Sequence, residues 1–425
     1  MPEIRPFRGL RYTAEAGDLK LLVAPPYDVI SPADRDRYAS ENPYNIVHLT
    51  LPEHEPDDRS KFIKYARSAA LLAEWRREGI LAPERCPVFY RYSQRFHVDG
   101  VPEALTRTAL IALIKVEPYD KGVVLPHEET FSKHKEDRLR VLEATRSHLE
   151  CIFGLYEDPD GSIDTAIKAA EVGGEVDVPS AIGCSHRLEP ITDPEIIQSL
   201  NGMLTGKKVW IADGHHRYET ALTFRQMLGA QSGPVAEDYM MMALTSMSDP
   251  GLVLLPTHRI VHGVTMDGDQ IRARLGTEFH LEEVHSSRLW PDLDKAHREG
   301  RRVFGVAMEG GHGLLLTPID YDRLAKMEGE GSDRLRSLDV SILHKVILEK
   351  LLDVKGSENI GYTRDPREAE KAANQGGTVS FLMNPPSVED MRTIALGGEK
   401  MPQKSTYYFP KILSGLVLWS LGDFE

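Results

Sequence analysis

Cysteine is scarce in this chain, and its scarcity excludes folds held together by sulfur chemistry. Among 425 residues there are three cysteines, Cys86, Cys151 and Cys184, and no two of them form a CxxC pair. Isolated thiols of this kind provide neither a disulfide framework nor a thiolate zinc site. We therefore expect the fold to rest on hydrophobic cores, for which a chain of this length has enough residues.

Long apolar runs are also missing. No stretch approaches the roughly 20 apolar residues that cross a bilayer. Residues 1–6 lack the basic start and apolar run of a secretion signal. The sequence therefore predicts a soluble cytoplasmic protein with no membrane partner.

Basic residues are fewer than acidic residues in this chain. The chain has 51 Lys and Arg residues against 65 Asp and Glu, which gives a formal net charge of −14. An acidic body repels the phosphate backbone of nucleic acids unless a local basic groove exists. The composition therefore argues against a nucleic-acid partner.

Two common nucleotide-binding consensus sequences are absent. The Gly-Lys-Lys at residues 206–208 lacks the frame and the hydroxyl of GxxxxGK[S/T], and no GxGxxG follows a predicted strand. The chain is therefore neither a P-loop enzyme nor an evident dinucleotide-binding protein.

Alternating strand and helix patterns predict a mixed α/β (α+β) fold. We expect an N-terminal α/β region over 1–105, a core over 106–265 and a C-terminal α/β region over 266–425. Periodicity predicts helices over 61–78 and 338–352 and a strand over 46–51. It also predicts paired strands over 88–98 and 106–116.

The clearest functional pattern is Ile-Ala-Asp-Gly-His-His-Arg-Tyr at 211–218. A predicted strand over 209–212 ends there, Gly214 permits a tight turn, and a helix begins. The backbone N–H groups and partial positive charge of a helix start attract phosphate. His216 and Arg217 add side-chain donors, while Asp213 either coordinates Mg²⁺ or caps the helix. The alternative is an ordinary turn followed by a solvated basic face, but two histidines and an arginine together favour the anion site.

A second pattern is Leu-Pro-His-Glu-Glu-Thr at 125–130. A carboxylate beside a histidine, here Glu128 beside His127, suits a general base. The alternative is a surface loop with ordinary acidic residues. The charged stretch at 133–138 that follows is typical of a solvated helix face.

Two further segments carry polar groups. Met-Pro-Gln-Lys-Ser-Thr at 401–406 offers a cation and two hydroxyls, which suit a phosphate group, although a plain polar turn is the alternative. Pro-Thr-His-Arg at 256–259 either lines the same cleft or ends a strand with a satisfied histidine. A metal site formed by His127, His215 and His216 is a further alternative. Phosphate binding is favoured over it because adjacent histidines point in different directions.

Five blocks of this chain resemble the signature of the DUF1015 family, whose domain has no assigned function. They occur in the same order across nearly the whole chain, at 25–30, 125–130, 211–218, 255–259 and 401–406.

The Asp-Gly-His-His-Arg segment is also similar to the phosphate-binding motif of the ParB/sulfiredoxin superfamily. Free-serine kinases of that superfamily have Pro-His-Glu, Asp-Gly-His-His-Arg and Pro-Lys-Thr-Thr-like blocks in this order, as do 126–128, 213–217 and 402–406 here. The resemblance implies a ParB/sulfiredoxin-like nucleotide-binding core over 106–265, with the C-terminal region contributing the 401–406 loop. It implies that Glu128 acts as base on a hydroxyl.

This chain departs from the superfamily motif at positions that limit which reactions the resemblance implies. His215 stands where sulfiredoxins have the cysteine that performs the sulfur chemistry, which excludes sulfinic-acid reduction. ParB proteins have an acidic residue at that position and a helix-turn-helix domain that is not evident here.

The leading hypothesis is a nucleotide-dependent small-molecule kinase that uses ATP or ADP with Mg²⁺. Its acceptor is a hydroxyl-bearing metabolite, with free L-serine as the first candidate. Glu128, His127 and Asp213 are the predicted catalytic residues, and Asp213 is the predicted metal ligand. The predicted phosphate ligands are Gly214, His215, His216, Arg217, Lys404, Ser405 and Thr406. One alternative is a nucleotide-binding regulator without catalysis, and another is a phosphatase, or a phosphotransferase running in reverse, with His215 as phosphate acceptor.

Overall fold

The chain folds into two compact units in the computed structural model, which describes residues 3–425 except 131, 174–175, 182, 230, 330, 355 and 357. The first unit contains the residues up to 126, then 130–253 and 410–425. The second unit contains 127–129 and 254–409. Each unit has its own central sheet.

A nine-stranded mixed sheet forms the centre of the first unit. Eight strands follow one another across it in the order Val124–Leu125, Val209–Asp213, Ile152–Tyr156, Tyr239–Ser246, Leu105–Lys115, Phe89–Phe96, Cys184–Ile191 and Val176–Ala181, and Ile4–Arg5 pairs with Leu105–Lys115. Val124–Leu125 is parallel to Val209–Asp213, and Ile152–Tyr156 is parallel to Tyr239–Ser246. The other pairs are antiparallel.

The strand Tyr239–Ser246 shows why this sheet holds the core. All eight of its residues are buried. Its sequence is a nearly continuous apolar run, as expected for a central strand covered on both faces.

The first-unit helices are Pro32–Glu41, Val47–Thr50, Ile63–Arg77, Ser132–Thr145, Ser162–Ala169, Pro194–Leu204 and His215–Met227. Two strand pairs complete the unit: Leu10–Tyr12 with Leu81–Pro83, and Ser147–His148 with Trp419–Ser420.

The strand predicted over 46–51 is wrong, because this segment forms the short helix Val47–Thr50. Asn45, which is fully buried, accepts the backbone N–H of Val47 at 3.0 Å through Oδ1. Its Nδ2 donates to the carbonyl of Leu21 at 2.8 Å. Asparagine side chains that bind nearby backbone groups favour turns and helix starts. Here those bonds outweigh the strand preference of the β-branched residues.

The second unit is built on a six-stranded antiparallel sheet. Its strands follow the order Phe279–His285, His312–Pro318, Phe304–Met308, Thr378–Leu382, His258–His262 and Ile360–Thr363. Its helices are Gly268–Leu275, Ser286–Arg298, Tyr321–Glu328, Asp333–Arg336, Asp339–Ser341, Ile342–Leu351, Pro366–Ala373 and Val388–Leu396. The two-residue strands Val253–Leu254 and Tyr408–Phe409 lie where the chain enters and leaves the unit.

The apolar helix predicted over 338–352 is present in a widened form. A short turn, Asp339–Ser341, leads into Ile342–Leu351, in which hydrogen bonds span five residues. The backbone N–H of Leu352, for example, donates to the carbonyl of Ile347 at 3.0 Å. Helical segments with this spacing are rare and occur often near functional sites.

The three predicted regions do not coincide with the two units. A boundary near 105 would separate Phe89–Phe96 from Leu105–Lys115, although these strands are hydrogen-bonded neighbours, as predicted for the pair. The change of unit occurs at 253–254 rather than near 265, and 410–425 return to the first unit. Among the described residues, no helix is both long and apolar enough to cross a bilayer.

Candidate functional site

The segment 213–217 forms a strand-turn-helix in the first unit, as its sequence predicts. Strand Val209–Asp213 ends directly before Gly214, which has a φ of 94° and precedes helix His215–Met227. A Cβ atom at Gly214 would lie 3.0 Å from Nη2 of Arg217. Glycine is therefore required both for the left-handed backbone and for the space that the guanidinium occupies. The turn leads directly from the end of the strand into the start of a 13-residue helix.

Asp213 is part of an ion-pair cluster. Its Oδ2 lies 3.1 Å from Nη2 of Arg217, and its Oδ1 pairs with Nζ of Lys411. Nη1 of Arg217 donates to the carbonyl of Cys151 at 2.6 Å. Gly214 is the N-cap and the helix has no side-chain cap, so the alternative in which Asp213 caps the helix is wrong.

The predicted metal role of Asp213 does not fit this arrangement. Each of its carboxylate oxygens already contacts a cation, so Mg²⁺ would have to displace Lys411 or Arg217. In the part of the chain that the structure describes, no three His, Cys, Asp or Glu side chains are grouped to hold a metal ion.

The two histidines of the segment begin the helix. The side chain of His215 is buried, with 6% of it exposed, and that of His216 is half-buried. Burial argues against the alternative in which His215 is an accessible phosphate acceptor.

Further charged groups of the first unit lie around Arg217. A small cavity there is lined by Arg217, Arg138 and Glu150. Burial lowers the pKa of Arg217, but the carboxylates of Glu150 and Asp213 raise it, and the net shift is upward. The guanidinium therefore keeps its charge at any physiological pH.

Arg138 connects this region to the 25–30 block. It is 7% exposed, donates to the carbonyl of Thr50 at 2.7 Å and lies over the ring of Tyr27 at 4.2 Å. The backbone N–H of Tyr27 donates to Glu150 at 3.0 Å. The solvated face predicted for 133–138 is therefore wrong for Arg138; the side chains of 133 and 134 lie outside the described residues.

The second unit holds the predicted base. Residues 127–129 run beside the 401–406 loop, where the backbone N–H of Met401 donates to the carbonyl of His127 at 2.8 Å. Oε1 of Glu128 accepts two hydrogen bonds of 2.8 Å, one from the backbone N–H of Thr406 and one from its hydroxyl. Two blocks that the sequence only suggested as partners are thus neighbours within one unit.

His127 extends this arrangement into a chain of three polar groups. Its side chain is fully buried, and its Nε2 lies 2.8 Å from Oγ1 of Thr406. Because the single hydroxyl proton of Thr406 is directed to Glu128, Nε2 of His127 must carry the proton that it shares with Oγ1. The order of donation is therefore His127 to Thr406 to Glu128, which fixes the orientation of the carboxylate.

The rest of the 401–406 loop is held by its own contacts. The hydroxyl of Ser405 donates to the carbonyl of Pro402, and the hydroxyl of Thr406 donates to Glu128. Both hydroxyls predicted to bind phosphate therefore donate within the protein. Lys404 has a left-handed backbone, with a φ of 56°, and its carbonyl accepts Nη2 of Arg259 at 3.1 Å.

Sequence reasoning missed several of these groups and weighed others only as possibilities. Lys411, Glu150 and Arg138 carry no pattern that marks them, since each reaches its partner through tertiary contact. Arg259 lies in the 256–259 segment, within the strand His258–His262, and it contacts the 401–406 loop. The alternative of a satisfied histidine at a strand end is wrong, because His258 begins the strand and its buried Nε2 has no hydrogen-bond partner among the described residues.

The family model described as "Protein of unknown function (DUF1015)" matches residues 4–341 of this chain. No curated protein matches it. Among solved structures, a conserved hypothetical protein from Pyrococcus furiosus is 14% identical, with a TM-score of 0.36 over 74% of this chain and 97% of that one. A mutant of free serine kinase in complex with ADP is 15% identical, with a TM-score of 0.35 over 74% and 92%.

SbnI from Staphylococcus aureus, with a C-terminal truncation, is 12% identical, with a TM-score of 0.33 over 72% of this chain and 85% of that one. With TM-scores below 0.5, these similarities establish neither a shared fold nor an activity for this chain.

Proposed function

Because this chain belongs to the DUF1015 family, whose description assigns no activity, we propose its function from the site: a nucleotide-dependent kinase that phosphorylates a hydroxyl of a small metabolite. The observation that carries the proposal is the pairing of Glu128 with Thr406 in the second unit. Free L-serine is the first candidate acceptor, and ATP or ADP is the phosphate donor.

Glu128 is the base of the proposed reaction. Its carboxylate takes the proton of the acceptor hydroxyl as the hydroxyl oxygen bonds to the terminal phosphorus of the nucleotide. The bond from that phosphorus to the bridging oxygen breaks, and the shortened nucleotide leaves with the electron pair. Two donors from Thr406 hold the carboxylate in one orientation, which is the positioning that phosphoryl transfer requires.

The turn at 213–217 is the proposed phosphate-binding element of the first unit. Backbone N–H groups at the start of helix His215–Met227 suit phosphate oxygens, as do the side chains of His216 and Arg217. Asp213 has a positioning role in this account, because it holds both Arg217 and Lys411 in place. No step is assigned to a metal ion at Asp213.

Lys404 supplies the proposed phosphate-binding cation of the second unit. Ser405 and Thr406 shape its loop rather than donate to phosphate, since their hydroxyls already bind Pro402 and Glu128. A ParB/sulfiredoxin-like core around 213–217 remains part of the proposal, on the strength of the motif alone.

Product formation tests this proposal. The full chain is incubated with Mg²⁺, with ATP or ADP, and with L-serine and other hydroxyl-bearing metabolites, and mass spectrometry follows any gain of a phosphate group. A phosphorylated acceptor with matching loss of the donor's terminal phosphate is the expected result. Tight nucleotide binding without product from any acceptor would contradict the kinase and favour the non-catalytic regulator.

A further inference from the structure

The second unit contains a large cavity to which the proposed function assigns no ligand. Its volume is about 1000 Å³, and it lies between the helices at 321–340 and the segment 383–387. Pockets for small molecules have volumes of about 300–1000 Å³. Free serine is far smaller than the ligands that fill a space of this size.

Arg259 gives the cavity wall a buried positive charge. Its side chain is 1% exposed, and no carboxylate lies within 4.0 Å of its guanidinium among the described residues. Its acceptors are the carbonyls of Thr257 and Lys404, the ring of His344 and the sulfur of Met383, all neutral. Those contacts occupy four of the five N–H groups of a guanidinium. Burial lowers the pKa of Arg259 to about 10, so it is still charged at neutral pH.

The carboxylate of Glu128 acts on Arg259 without forming an ion pair among the described residues, and an anionic ligand in direct contact would offset more of the cost of burying this charge. Arg259 differs in this respect from Arg334 and Arg336, two other cations of the cavity wall. Arg336 pairs with Asp333, and Arg334 pairs with Asp390 at 3.1 Å.

Asn384 provides a second, independent group. It is 5% exposed and lines the cavity, and its Nδ2 has no hydrogen-bond partner among the described residues. Buried side-chain donors are normally satisfied. One cavity is thus lined by an amide donor without a partner and a guanidinium without an ion pair among the described residues, and both groups suit an anionic oxygen group.

The charge of the cavity wall also favours an anionic ligand. Six Arg and Lys side chains and four Asp side chains line the cavity, in a chain whose net charge is −14. The carboxyl of Asp339 accepts the hydroxyl of Tyr321 at 2.8 Å, and burial raises its pKa, which favours its neutral form. The wall is thus locally positive within an acidic protein.

We propose that this cavity binds an anionic metabolite larger than serine, whose carboxylate or phosphate oxygens contact Arg259 and Asn384. The binding site requires no kinase activity. Ser405 also lines the cavity, so an occupant would touch the loop that carries Lys404 and Thr406.

Calorimetric titration of the full chain, without nucleotide, tests the proposal. The probes are inorganic phosphate, glycerol 3-phosphate and citrate, with glycerol as the uncharged control. We expect at least one anion to bind with a dissociation constant below about 1 mM and glycerol not to bind. The phosphate and citrate arms distinguish a phosphate-bearing from a carboxylate-bearing ligand. Failure of all three anions to bind at 10-fold higher concentration would overturn the proposal.

Asn384→Asp is the matched variant, because it keeps the side-chain shape and replaces the open donor with a carboxylate. It should weaken anion binding at least 10-fold. Asn374→Asp makes the same change at an exposed position of the same unit, outside the cavity, and should change affinity less than twofold.

Arg334→Gln offers a second variant at the more exposed rim, with 41% of its side chain accessible, in case the buried substitution prevents folding. It removes a cation and leaves Asp390 unpaired, so binding should weaken about threefold or more. Unchanged affinity in folded Asn384→Asp, or in Arg334→Gln if the former does not fold, would overturn the proposal. Anion binding in a chain that makes no phosphorylated product would refute the kinase and leave this site standing.

Discussion

Glu128 accepts both the backbone N–H and the hydroxyl of Thr406, each at 2.8 Å, across a separation of 278 residues. His127 donates to the same hydroxyl, so three side chains from two distant segments form one oriented chain. A carboxylate held in this way is prepared to accept a proton from a defined direction.

The hydroxyl of Thr406 should matter for turnover. Thr406→Val keeps the size of the side chain and removes one of the two hydrogen bonds to Glu128. A hydrogen bond to a charged group contributes about 1.5–3 kcal/mol, so kcat should fall about 10-fold or more. Thr406→Ser restores the hydroxyl and should stay within about threefold of the native kcat. Equal kcat in the Val and Ser variants would contradict the orienting role.

Gly214 should be sensitive to any side chain. Gly214→Ala combines a left-handed backbone with a contact of 3.0 Å to Arg217. Gly206→Ala is the control, because Gly206 has a φ of 82° but no described atom lies within 4 Å of the added Cβ. Left-handed strain alone costs about 1–2 kcal/mol. Urea unfolding should show a larger loss for Gly214→Ala, and nucleotide titration should show weaker binding for that variant alone. Equal losses of stability and equal nucleotide affinities in the two variants would disprove the specific role of this turn.

Lys411 should contribute to nucleotide binding through its charge. Lys411→Met removes one of the two cations that neutralise Asp213 and leaves its carboxylate to repel phosphate. We expect about 10-fold weaker nucleotide binding, equal to about 1.4 kcal/mol, in a calorimetric titration. Lys20→Met, an equal charge change at an exposed lysine of the first unit, should leave the affinity unchanged. If Lys411→Met binds nucleotide with native affinity, Lys411 does not contribute to the phosphate site.

His344 should make stability depend on pH. Burial, together with the charges of Arg259 and Lys345, lowers its pKa from 6.5 to about 3. The unfolded chain therefore binds a proton below pH 6.5 that the folded chain does not take up until about pH 3. Stability contributed by this group is lost as the pH falls through that window.

Between pH 7 and pH 5 the loss from His344 should be about 2 kcal/mol, measured as the free energy of unfolding in urea. His344→Gln keeps an acceptor for Arg259 and cannot titrate. Between pH 7 and pH 5, the unfolding free energy of this variant should therefore decrease by about 2 kcal/mol less than that of the native protein. If the variant and the native protein lose equal stability over this range, His344 is not held neutral in the fold.

The sequence predicts local elements well where pattern and chemistry agree. Helix Ile63–Arg77 and the strand-turn-helix around Gly214 lie where periodicity and a single glycine place them. The segment after Asn45 fails because a buried asparagine binds the backbone, which an apolar β-branched pattern does not reveal.

The arrangement of the candidate site could be predicted only in part. The motifs mark Glu128 and Asp213 as candidates, but they do not show the pairing of Asp213 with Lys411, which joins positions 198 residues apart. Nor does local pattern show that 127–129 belong to the second unit while their neighbours on either side belong to the first. Both features depend on tertiary contacts, which leave no periodic pattern in a single sequence.

Turnover of Glu128→Gln against Glu129→Gln tests the central claim most directly. The two variants make the same charge change one residue apart, at the oriented carboxylate and at an exposed one. Removal of a general base typically costs about 10²–10⁴-fold in rate. We predict at least a 100-fold loss of phosphorylated product for Glu128→Gln, with native nucleotide affinity, and native turnover for Glu129→Gln. Full turnover by Glu128→Gln would contradict the account.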